Sequence, residues 1–74
     1  MTRAEKIRAL LASGADDTRR LTLDRIDDVA RRTNTWGTKE HRDARNKAEQ
    51  AYDDISSSYE KLSDLELDRA LAEI

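Results

Sequence analysis

Ala48, Tyr52, Ile55, Tyr59 and Leu62 recur at alternating four- and three-residue steps, and no other feature limits the possible folds of this chain so strongly. A strand would need its apolar residues at every second position, whereas a helix gathers these onto one seam suited to packing along another helix. Extended backward, the seam meets Arg45 and His41, so its apolar character fades toward the N-terminal side.

Three further segments show the same periodicity. In "TRAEKIRALLASG", Ala4, Ile7, Leu10 and Leu11 form a stripe, Thr2 can cap the start, and Gly14 sits where a left-handed residue would end the helix. The polar, aperiodic "ADDTRR" that follows reads as a loop. Thr22 then caps a second helix, with Leu21 and Ile26 placed as a hydrophobic staple and Leu23, Ile26, Val29 and Ala30 as its buried stripe. "TNTWGT" collects poor helix formers and ends it near Thr33, and Thr38 can cap the third helix. Ser63 and Glu66 have capping-box spacing, with Leu62 and Leu67 as a staple, ahead of a last stripe of Leu67, Ala70, Leu71 and Ile74. The expected architecture is a compact all-α bundle of three to four helices, about 3–13, 22–33, 38–62 and 64–74, forming one domain over residues 1–74. Its expected core is Ile7, Leu10, Leu11, Leu23, Ile26, Val29, Ile55, Tyr59, Leu62, Leu67 and Leu71.

A chain of 74 residues buries a modest fraction of its surface, and without cysteine it has neither disulfides nor thiolate metal sites to compensate. Association is the remaining common source of stability. No apolar run is long enough to span a membrane, and the N-terminus lacks a signal-peptide core, so a soluble cytoplasmic protein is expected. Charge is uneven along the sequence. The net charge is zero over residues 1–30, +4 over 31–47 and −6 over 48–74, which favours oriented contact with a charged partner or a second copy.

Catalytic chemistry is not expected. Ser56, Ser57 and Ser58 have no activating base or strained turn, and His41 is the lone histidine, expected to be exposed on its helix. Adjacent aspartates, as in Asp53 and Asp54, point to different sides of a helix and make neither an acid–base pair nor a calcium loop. No metal, cofactor or small-molecule substrate is expected.

Two segments are candidates for binding. Tyr52, Ile55 and Tyr59 would form a protein interface if no helix of the same chain covers them. Arg31, Arg32, Trp36, Lys39, Arg42, Arg45 and Lys47 form a candidate anion or nucleic-acid patch, although the segment reads first as a turn, with Trp36 and Gly37 closing a helical hairpin. "LDRIDDVARRTN" resembles the first half of a helix-turn-helix, but Glu40 and Asp43 fall where the second helix would have to be apolar.

Glu40 to Leu62 also resembles the third-helix region of the Hha/YmoA nucleoid modulators. The shared features are an acidic residue before His41-Arg42, then Ala44, Tyr52-Asp53, Ile55, Ser57-Ser58 and Lys61. The resemblance implies a contact to a nucleoid-structuring partner at Glu40. It covers under a third of the chain, lacks the family's preceding apolar run and leaves Ser63–Ile74 without a counterpart, so it is not carried into the expected fold or function.

The expected function is that of a small, non-catalytic accessory or regulatory protein that binds another protein or itself. Reduced domains of this size are frequent among phage and mobile-element products, an analogy of scale alone. Nucleic-acid regulation through residues 31–47 is the second expectation, and presentation of the acidic C-terminal helix to a basic partner is the third.

Overall fold

The computed structural model describes the whole chain, Met1–Ile74, as an all-α bundle. Thr2 opens α1 (Arg3–Leu10) with a full capping box: its hydroxyl accepts from the Glu5 amide, and the Glu5 carboxylate accepts from the Thr2 amide. Hydrogen bonding with Thr2, first its side chain and next its backbone amide, holds the Glu5 carboxyl below its usual value.

The first correction follows at once. Neither Gly14 nor "ADDTRR" interrupts the chain, and Thr22 caps nothing: α1 passes through a π-helical turn (Leu11–Ala15) directly into α2 (Asp16–Arg32). The Asp16 amide donates to the Leu11 carbonyl, five residues back, as a π turn requires. The physical cause is phase. Between the inward-facing Ile7 and Ala30, regular α-helix at 100° per residue would miss closure by about 140°. With one residue fewer the mismatch would be only about 40°, and widening one turn absorbs the surplus. Contacts across to the facing helix overcome the poor helix propensity of residues 15–20. Arg19 pairs with Glu49 at 2.8 Å, Asp16 accepts from the Tyr52 hydroxyl at 2.6 Å, and the Arg19 guanidinium lies 4.9 Å from the Tyr52 ring centre.

At the far end of α2 the chain reverses. Asn34 (φ 56°) and Gly37 (φ 78°) adopt left-handed conformations, the Thr35 amide donates to the Ala30 carbonyl, and Thr38 caps α3 (Lys39–Glu60) as expected. α3 runs back antiparallel to α2, in contact from Asp27–Arg45 to Asp16–Tyr52. This side-by-side hairpin replaces the steep crossing of a helix-turn-helix.

α3 ends at Glu60, short of the expected residue 62, because Arg3 reaches across to donate to the carbonyls of Glu60 and Leu62 and to Asp64. The Ser63–Glu66 capping box then starts α4 (Asp64–Ala72). α4 doubles back along α1, where Lys6 pairs with Asp68 at 2.8 Å and Leu67 is fully buried.

The bundle is drawn out, 48 × 19 × 15 Å, with a radius of gyration of 15.4 Å against about 11 Å for a spherical domain of this length. Its buried apolar core consists of Leu10, Leu11, Ala30 and Leu67. Ile7, Leu23, Ile26, Tyr59, Leu62 and Leu71 are half-buried, while Val29 and Ile55, both expected inside, are 51% and 39% exposed. The cause is architectural: α4 packs on α1, so no further helix lies over α2 and the middle of α3.

Candidate interaction surfaces

His41, expected on the outside, is the one buried polar side chain, and it anchors the end of the hairpin where the chain reverses. Its Nδ1 accepts from the Gly37 amide at 3.0 Å, which places the ring hydrogen on Nε2, and Nε2 donates to Asp27 Oδ1 at 2.9 Å. Arg45 donates to both Asp27 oxygens at 2.7 Å. The hydrogen bond from Arg45, and next that from His41, hold the Asp27 carboxyl below its usual value. The inward seam of α3 therefore continues through Arg45 and His41 in polar form. Both imidazole nitrogens are engaged within the fold, and no cluster of three metal-ligating side chains exists anywhere in the chain.

Trp36 is 55% exposed and lies against this network, its ring centre 4.6 Å from that of His41, with the Arg31 guanidinium 5.3 Å away. The basic segment does not form one patch. Arg45 is bound to Asp27 and Arg32 to Asp28. Lys47 lies about 140° around α3 from Arg42. What remains together at the tip is Arg31, Trp36, Lys39 and Arg42.

The acidic C-terminal helix is likewise committed. Asp64 pairs with Arg3, Asp68 with Lys6, and Glu66 with the Ser63 cap. Docking of α4 on α1 thus pairs two carboxylates of the acidic segment, and Glu49 is paired with Arg19 on α2.

The tyrosine face divides too. Tyr52 is half-buried with its hydroxyl bound to Asp16, and that bond holds the phenol above its usual value. Tyr59 is half-buried, and Ile55 alone of the three is exposed.

Ile55 belongs to a different surface that the sequence did not reveal. The α2–α3 hairpin has two long sides. One is charged, with Asp16, Arg20, Asp24 and Asp27 beside Arg45. The other carries two shallow grooves, one bordered by Ile26, Val29 and Ala44, and the next by Thr22, Ala48, Ala51 and Ile55. Thr22, Ile26 and Val29 on α2, and Ala44, Ala48, Ala51 and Ile55 on α3, follow four- and three-residue steps, so each set forms one stripe. Small side chains line the floor while Val29 and Ile55 project, a form suited to receiving another helix.

No helix is long and apolar enough to cross a membrane. Comparison with family models, with curated proteins and with solved structures gives no match for this chain.

Proposed function

We propose that this is a non-catalytic accessory or regulatory protein that works by binding another protein chain through the apolar side of its α2–α3 hairpin. The observation that carries this is the pair of stripes from Thr22 to Val29 and Ala44 to Ile55, helix-spaced, apolar and left without a covering helix. An exposed contiguous apolar strip on a small protein marks a contact surface. Both ring nitrogens of His41 are bound within the fold, which supports a structural role for that side chain.

The test is comparison of what the tagged chain and its Val29→Glu variant retain from native lysate, with helix content of both checked by circular dichroism. Protein retained by the parent and lost by a normally helical variant is expected. Identical retained sets, or none in either from a parent that is also monomeric, would reject the face as a binding surface.

A second reading draws on Arg31, Trp36, Lys39 and Arg42, cationic and aromatic groups gathered at the tip with no ion-pair partner within the chain. Nucleic-acid binding there predicts association with duplex DNA or RNA at low salt that weakens steeply as salt rises. No association at low salt disposes of it.

A further inference from the structure

The geometry points to a second copy of this chain as the occupant of the apolar side of the α2–α3 hairpin, giving a two-fold dimer in which the two hairpins stack face to face as a four-helix bundle. This rests on the proposed binding face and names what covers it.

The amount of surface left open supports the assignment. The chain exposes 5534 Å², whereas a folded monomer of 8.5 kDa exposes about 4,650 Å². The excess, about 900 Å² summed over the whole elongated chain, is of the order of the roughly 800 Å² that each partner contributes to a stable interface of ordinary size. A chain this small, without disulfide or metal, gains most from recovering that area by association.

The composition of the strip fits a copy of itself. A two-fold interface brings one patch against the same patch, so it must carry both halves of every complementary contact. Here small residues (Thr22, Ala48, Ala51) alternate with projecting ones (Val29, Ile55), which lets ridges of one copy enter hollows of the other. The groove nearest the tip also has Arg25 on its α2 edge and Glu40 on its α3 edge, neither paired within the chain. One unpaired charge of each sign on the same patch is what self-association can satisfy. On the opposite side of the hairpin Arg45 is paired with Asp27 and Arg20 with Asp17, and the charges left without an ion pair, Asp16 and Asp24, are of one sign only.

Sedimentation velocity of the full chain over a wide concentration range tests this directly. The parent and Arg20→Glu, on the charged side, are expected to sediment at twice the chain mass of 8.5 kDa. Val29→Glu and Ile55→Glu are expected to sediment as monomers with unchanged helix content, since both positions are open in the single chain. A parent that stays monomeric at every concentration overturns the second-copy assignment, as does a dimer indifferent to both glutamates. If the parent is monomeric yet retains a lysate protein through Val29, the binding face stands and the second copy falls. If it is monomeric and retains nothing, both fall.

Discussion

The two ends of this molecule hold together by different means. At the end where α1 meets α4, aliphatic side chains are enclosed: Leu67 is 0% exposed and Leu10 4%. At the tip, where α2 turns into α3, the enclosed residues are Ala30 and His41, and order comes from one carboxylate bound to an imidazole and a guanidinium. Enclosed aliphatic carbon stabilises without direction, at about 25 cal/mol per Å² removed from water. The Asp27 network adds little apolar burial but fixes the register of the hairpin, because Asp27, His41 and Arg45 meet in only one alignment. The end covered by α4 has its aliphatic stripe enclosed within the chain. The α2–α3 half lacks such a cover, and its open side is where a partner fits.

The widened turn between the halves allows the sharpest way to separate them. Deleting Gly14 should return the α1–α2 rod to regular α-helix with both stripes still inward, and cooperative thermal unfolding should persist. Deleting Asp24 should turn the tip half about 100° against the base half and abolish the cooperative transition. Equal behaviour of the two deletions would refute the phase account of the π turn. Next in size are single truncations. Leu67→Ala should cost about 3 kcal/mol in denaturant unfolding. His41→Ala should cost about 2 kcal/mol, because it leaves the tip without the bonds to Asp27 and Gly37. A reversed order would mean that the tip network is the dominant stabiliser.

pH should separate polar contacts of the hairpin in opposite directions. The Asp27 carboxyl is depressed, so its contribution is complete above the unfolded value near 3.8 and is lost as pH falls through the folded one. Asp27→Asn should flatten the acid limb of a stability profile. The Tyr52 phenol is raised by its bond to Asp16, so that contribution is complete below about pH 10 and is lost as pH rises through the folded value. Tyr52→Phe should flatten the alkaline limb. The smallest effect is expected from Gly14→Ala. Open space surrounds the position, and its backbone is not left-handed, so a methyl group should stabilise by about 0.5–1 kcal/mol through lower chain entropy in the unfolded state.

Much of the fold was legible in the residues. The caps at Thr2, Thr38 and Ser63 announce helix starts through side chains that bond the first free amides, a local event that neighbours in sequence suffice to specify. The break expected at Gly14 was a real signal wrongly assigned: the apolar phase does slip there, but the chain widens a turn instead of ending the helix. What keeps residues 15–20 helical is Glu49 and Tyr52, some thirty residues away, and local propensity carries no record of them. His41 was misplaced for the same reason, since its partner Asp27 lies on another helix. The open side was invisible because Thr22, Ala44 and Ala51 are unremarkable until α2 and α3 are set side by side, and because only the structure shows α4 turning onto α1.

Intermolecular paramagnetic broadening tests the central claim, an open hairpin side completed by a second copy, most directly. The chain lacks cysteine, so Lys47→Cys, exposed on α3 beside the strip and outside its grooves, accepts a single nitroxide, and this spin-labelled chain is mixed with isotope-labelled parent. Broadening of the α2 amides around Thr22, Ile26 and Val29 of the isotope-labelled copy, abolished when that copy carries Val29→Glu, is the predicted result. Uniformly sharp signals, or broadening that Val29→Glu leaves unchanged, would contradict it.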